Sequence, residues 1–188
     1  MNSEIDADVK IFTSSTAWDA PEPETEDLEA LAARTEEQRA NGNLDKAKRL
    51  GRGLSSFSAR SEELAALAQS FGFAPSAERA QHLHVLMLFS AQAALRELLE
   101  PKLLAEAAIT AMNNALINHE KAFWDTVSDG RVFTQYLLAL RGPANGADAV
   151  GEVFAKVCGQ EDNPDLRALG STVFTTAHKW IEAHWEPV

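Results

Sequence analysis

Apolar residues recur at intervals of three and four along most of the chain after Thr25, which is the spacing of one face of an α-helix. The most regular stretch runs from about Ala77 to Glu100. Leucine, methionine and alanine occupy one side of this helix, while Val85, Leu86 and Phe89 lie on the other. A helix that is apolar on two sides is buried on both, so we expect this helix to be central.

A second long helix is predicted from Pro101 to Val127, because proline suits the first turn of a helix. Shorter helices are predicted over residues 131–141 and 147–158. A last helix should begin at Asn163-Pro164-Asp165, where an N-cap residue precedes a first-position proline and an acid. No segment has the alternating pattern of a strand. We predict an all-α, single-domain bundle of about seven or eight helices around a long central antiparallel pair, 77–100 and 101–127.

The region before Ala77 carries weaker helical signals. Thr25 is a suitable N-cap, and Gly42 stands where a left-handed residue would end the first helix. Gly51 and Gly53 should loosen the next helix, because glycine is a poor helix former. A further helix should end at Gly72.

Residues 1–23 differ from the rest of the chain. Pro21 and Pro23 interrupt regular structure, and the first 40 residues hold 11 acids against 3 bases. One short turn could place Ile5, Val9 and Phe12 on one side. We divide the chain into an acidic N-terminal arm, 1–23, and an all-helical domain, 24–188. The arm should be dispensable for folding but should matter for association, since Trp18 stands alone in it.

Composition agrees with a helical domain and excludes several classes of protein. The 188 residues include 32 alanines but only 14 valines and isoleucines, which favours helix. A net charge of −11 argues against nucleic acid or an anionic membrane as a partner. The longest apolar run is five residues, far below the roughly 20 of a membrane-spanning helix.

The single cysteine, Cys158, excludes an internal disulfide and any metal site built from several cysteines. The first residues lack the apolar core of a secretory signal, so we expect a cytoplasmic protein. Cys158 lies near a helix C-terminus, where the dipole disfavours a thiolate, and is interpreted as a packing residue.

Motifs of enzymes are absent. The segment Gly51-Arg52-Gly53 lacks a third glycine, and Gly170-Ser171-Thr172 is not a nucleophile elbow. The sequence therefore favours a protein without catalytic residues, metal or cofactor. The basic residues between Lys46 and Arg60 are interpreted as a solvated face, because aromatic residues for base stacking are missing. His178 and Glu182, one turn apart, are interpreted as a surface pair rather than metal ligands.

Two histidines lie on otherwise apolar faces of the two long helices. His84 is 17 residues before Pro101 and His119 is 18 after it, so in a straight hairpin they would have nearly equal heights. We therefore expect the two to face each other in the core, with Asn114 and Asn118 nearby. A hydrogen-bonded core layer is the favoured interpretation, and a ligand site formed by these four residues is the alternative.

The absence of catalytic motifs favours a non-catalytic, cytoplasmic protein that binds a protein partner or a second copy of itself. Trp18 and Trp185 are the candidate interaction residues. The alternative is a small-ligand sensor or a metal-dependent enzyme, with its pocket between the central helices.

Overall fold

A computed structural model describes residues 25–127, 130–142 and 146–187, without the side chains of residues 25–28 and 57–60. These residues form nine α-helices and no strand. The arm 1–23, including Trp18, lies outside the described residues. The helices are α1 Thr25–Ala40, α2 Asn43–Leu54, α3 Phe57–Ser70, α4 Ala77–Leu98, α5 Lys102–His119, α6 Lys121–Val127, α7 Arg131–Leu140, α8 Gly146–Val157 and α9 Pro164–His184.

The helix boundaries follow local signals in the sequence. The Asn163 side chain accepts hydrogen bonds from the backbone N–H groups of Asp165 and Leu166, at 3.0 and 3.2 Å. The Ser76 hydroxyl accepts from the N–H of Arg79 at the start of α4. Gly42, between α1 and α2, has a φ of 82°, a conformation that glycine adopts without steric cost. The all-α bundle is confirmed.

The segment 101–127 forms two helices instead of the one expected. Glu120 has non-helical φ and ψ of −129° and 43°, so α5 ends at His119 and α6 begins at Lys121. Three asparagines in the last two turns of α5 make continuation of the helix unfavourable. This break contributes to the count of nine helices, above the predicted seven or eight.

Helix α4 is the centre of the bundle, as expected. It contacts α3, α5, α7, α8 and α9, and its largest interface is with α9. Helices α4 and α5 do form a hairpin, since Arg96 pairs with Glu106 and Gln92 with Asn113. However, α5 makes its largest interface with α2, and its interface with α4 is much smaller. The second long helix thus packs beside the centre instead of sharing it.

Two helix crossings depend on glycine. A Cβ atom on Gly51 would lie 2.0 Å from the backbone oxygen of Ala108, so α2 and α5 touch backbone to backbone. A Cβ on Gly151 would lie 2.3 Å from the backbone oxygen of Arg167, where α8 crosses α9. The expectation that Gly51 and Gly53 loosen a helix was wrong, because α2 runs through both. Packing against α5 compensates for the low helix propensity of Gly51.

Candidate functional site

A cavity of about 350 Å³ lies between α3 and the first turns of α4. We call it the α3–α4 pocket. The side chains of Leu64, Ala68 and Leu83 are buried and form its floor. Its other lining residues are Ser61, Ala65, Phe73, Ala74, Pro75, Ser76, Ala77, Arg79, Ala80 and His84.

The connection between the two helices forms the mouth of the pocket. Gly72, with a φ of 82°, ends α3 and turns the chain so that Phe73 packs against the core. The Arg79 guanidinium lies 5.0 Å from the centre of the Phe73 ring and donates a hydrogen bond to the backbone oxygen of Ala74. These contacts hold the charged group at the rim.

Ser61 on α3 and His84 on α4 form a polar pair in the lining of this mainly apolar pocket. The Ser61 hydroxyl and His84 Nε2 are 3.0 Å apart, a hydrogen bond between α3 and α4. Burial lowers the pKa of His84 below 6.5, although the nearby Glu120 carboxylate partly opposes the shift. The imidazole is therefore mainly neutral at pH 7, with one nitrogen that donates and one that accepts. It also meets the ring of Phe123 edge-on, at 6.0 Å between centroids.

The other three predicted ligand residues lie elsewhere. Asn114, Asn118 and His119 are exposed and line a shallow groove of about 570 Å³ between α2 and α5. We call it the α2–α5 groove. Its other lining residues are Lys48, Arg52, Leu103, Glu106, Ala107, Thr110, Ala111 and Ala115.

The expected core layer of His84 and His119 was wrong, because His119 is exposed and lines a different cavity. Equal height along a hairpin does not determine the rotation of each helix about its axis. Helix α5 turns the side that carries Glu106 and Asn113 towards α4. His119 lies on a different side of α5, at the last residue of the helix, and is exposed there. The polar link that does join the two helices is Gln92 with Asn113, 3.3 Å apart.

Trp185 is half-buried just beyond the end of α9 and packs against the core. The Lys46 ammonium lies 5.9 Å from the centre of its ring and donates to the backbone oxygen of Glu186. The ring therefore has a partner on α2 of its own chain, so less of its surface is available to contact another molecule.

The histidines of α9 have internal partners too. His178 Nε2 lies 3.2 Å from a carboxylate oxygen of Glu97, and its Nδ1 contacts the backbone oxygen of Phe174. His184 stacks on Trp180 with ring centres 4.0 Å apart. Among the described residues, no three histidine, cysteine, aspartate or glutamate side chains are grouped so that they could hold a metal ion.

Cys158 follows α8, is half-buried and packs against the core. Burial raises the pKa of its thiol to about 11, with Arg79 and Glu78 contributing opposite, smaller effects. A thiol with this pKa is almost entirely protonated at pH 7, which agrees with a packing residue and not with a nucleophile.

Apolar side chains also reach the surface. On α7, Leu137 is 43% and Leu138 60% exposed, and only Tyr136 is buried. On α1, none of the side chains described, those of residues 29–40, is buried, and Leu31 is 51% exposed. Within the described part of the chain, no helix is long and apolar enough to cross a membrane.

Comparisons of this chain with protein-family models, with curated proteins and with solved structures found no match in any of the three.

Proposed function

We propose that the protein binds a small, mainly apolar ligand in the α3–α4 pocket. The observation that carries the proposal is one hydrogen-bonded polar pair, Ser61 and His84, in a cavity whose other lining residues are apolar except for Ser76 and Arg79. Ligand pockets commonly combine apolar walls with a few polar groups that orient the ligand. The volume of about 350 Å³ is at the small end of the usual range of roughly 300–1,000 Å³.

The polar pair indicates the chemistry of the ligand. Because burial keeps His84 neutral and Glu120 stands nearby, a second negative charge beside the pair would be repelled. A hydroxyl, amide or carbonyl group could instead form a hydrogen bond with the imidazole or the serine hydroxyl. The ligand class is therefore a compact apolar molecule with one uncharged polar end.

A titration with 1-naphthol, followed by isothermal calorimetry, tests the proposal. Ala65 is half-buried and lines the pocket, so a tryptophan there would fill it. Ala66, its neighbour, is exposed and does not line the pocket. We expect Ala65→Trp to weaken naphthol binding at least tenfold, and Ala66→Trp to leave the affinity unchanged.

Two related probes test the polar end. Naphthalene lacks the hydroxyl and should bind about fivefold more weakly, the effect of about 1 kcal/mol for one hydrogen bond. The anion 1-naphthoate should also bind more weakly. Equal affinity of the Ala65→Trp and Ala66→Trp variants for naphthol would contradict the proposal. So would tighter binding of naphthoate than of naphthol.

Self-association is a second candidate function, and it retains the interpretation that the sequence favoured. The observation in its support is the pair of exposed leucines on α7, Leu137 and Leu138. Adjacent exposed leucines can form part of an interface with a second copy of the chain. The arm 1–23 and Trp18 remain candidate contributors.

Sedimentation equilibrium of the full chain tests this second candidate. A dimer is expected, and Leu138→Ser should weaken it at least tenfold. Thr134→Ser, at an exposed polar position of the same helix, is the control. A monomer at all concentrations up to 100 µM would exclude the candidate.

Three further expectations gain no support from the structure. A metal-dependent enzyme would need ligands that the described residues do not group together. The absence of nucleic-acid partners and a cytoplasmic location remain predictions, based on net charge and on the single cysteine.

A further inference from the structure

The α2–α5 groove is separate from the α3–α4 pocket and has a different character. Lys48 and Arg52 stand one turn apart on α2 and both line it. Neither forms an ion pair with any residue that the structure describes. Lys48 is half-buried, so its charge lies close to the protein surface without a neutralising partner. A groove wall of this kind attracts a negatively charged group.

The α5 side of the groove adds hydrogen-bond donors. Asn114, Asn118 and His119 of α5 line the groove together with the two cations of α2. Glu106 is the one carboxylate in the lining, and Arg96 already pairs with it at 3.5 Å. The groove therefore presents several donors for carboxylate oxygens and little repulsion.

The floor of the groove is apolar and, apart from Leu103, made of alanines. Leu103, Ala107, Ala111 and Ala115 are half-buried and repeat every four residues along α5. Small side chains let another segment approach closely. A segment that binds both the cationic wall and the apolar floor must carry carboxylates beside apolar side chains.

The N-terminal arm of the same chain has this composition. Residues 1–23 contain five acids and one base, and Ile5, Val9 and Phe12 are spaced for one side of a helical turn. The arm precedes α1, which packs on α2, one wall of the groove. A chain of 23 residues can span about 75 Å, whereas α1 is about 24 Å long, so the arm can reach the groove.

We propose that the acidic arm, residues 1–23, binds in the α2–α5 groove of its own chain, with its carboxylates against Lys48 and Arg52 and its apolar residues on the alanine floor. This interaction does not depend on the ligand proposed for the α3–α4 pocket.

Carbodiimide cross-linking of the full-length protein, with mass spectrometry of the peptides, tests the proposal. The reagent joins a carboxylate to a lysine amine only when the two are in contact. We expect Lys48 to be joined to Glu4, Asp6 or Asp8 within one chain. Lys46, on the same helix but bonded to Glu186, is the internal control and should give few such products.

Charge reversal supplies a matched pair of variants. Arg52→Glu should lower the yield of the Lys48 product about fivefold, because it replaces attraction with repulsion. Arg49→Glu changes the same charge at an exposed position of α2 outside the groove, and should leave the yield near that of the natural chain. Raising the salt concentration to 1 M should also lower the yield, since the contacts lie at the surface.

Three results would overturn the proposal. The first is an absence of Lys48 products with residues 1–23, and the second is an equal loss in both arginine variants. The third is a product that joins isotopically labelled and unlabelled chains, which would indicate that the groove binds a second copy.

Discussion

The hairpins α8–α9 and α3–α4 are both formed by consecutive helices, but their helices approach to different distances. Between α8 and α9, Gly170 is so close to α8 that a Cβ would lie 2.8 Å from the Cβ of Phe154. Between α3 and α4, a cavity of about 350 Å³ remains. The first hairpin is closed by backbone contact, and the second leaves a cavity between its helices.

The difference comes from the residues that each hairpin buries. Helix α9 buries seven residues along its length. Among the side chains described in α3, those of Leu64 and Ala68 are buried. A hairpin that buries few side chains contributes less to stability than one that buries many.

The largest expected effect compares the same substitution in the two hairpins. Leu169→Ala in α9 should lower the free energy of unfolding by about 4 kcal/mol, because it leaves a void in a closed interface. Leu64→Ala in α3 should cost only about 2 kcal/mol, because its side chain already borders an open cavity. Urea denaturation measures both. Equal losses would show that the two hairpins are equally well packed.

The glycine crossings give the next largest effect. Gly151→Ala should destabilise the protein by about 3 kcal/mol, since the new methyl group would overlap backbone and cannot be accommodated by a rotamer change. Gly53→Ala is the control, because no atom lies within 4 Å of the Cβ that it would add. It should stabilise α2 by about 0.5–1 kcal/mol. If the Gly151→Ala substitution stabilised the protein, the close approach of α8 and α9 at this residue would be refuted.

Acid should lower the stability of the protein by protonating His84 in the α3–α4 hairpin. Its pKa is lowered in the folded protein, so below about pH 6.5 the unfolded chain binds more protons than the folded one. Stability should therefore fall as the pH drops through 6.5, and this loss should end below the folded pKa. Urea midpoints at pH 7.5 and 5.5 measure the effect. His84→Gln should reduce the pH dependence, and an unchanged pH dependence in this variant would contradict the assignment to His84.

The smallest effect concerns two hydroxyl groups, a buried one on α7 and a half-buried one on α3. The Tyr136 hydroxyl is buried and has no hydrogen-bond partner among the described residues, while burial also raises the pKa of this tyrosine. Tyr136→Phe should leave stability unchanged or raise it by up to about 1 kcal/mol. Ser61→Ala, which removes the partner of His84, should lower it by about 1 kcal/mol. Thermal unfolding measures whether each substitution raises or lowers the stability.

Many of the helix boundaries could be predicted from the sequence. Caps and apolar spacing placed the starts of α4 and α9 within a residue, and Gly42 and Gly72, where helix ends were expected, have a positive φ. The break at Glu120 was missed, because the apolar spacing continues across it to Phe123. Of the site residues, His84 was found as a polar residue on an apolar face. Its partner Ser61, 23 positions earlier, carries no sequence signal.

The sequence by itself determined the class of fold, because helix formation depends on spacing, caps and composition within a few residues. Tertiary structure decided which helix faces meet. Gly51 has the sequence character of a weak position in a helix, yet it is where α2 touches the backbone of Ala108 in α5. His119, predicted to lie in the core, lines the groove between these two helices. Helix rotation and crossing distance arise from the packing of residues that are distant in the chain, and no local pattern records them.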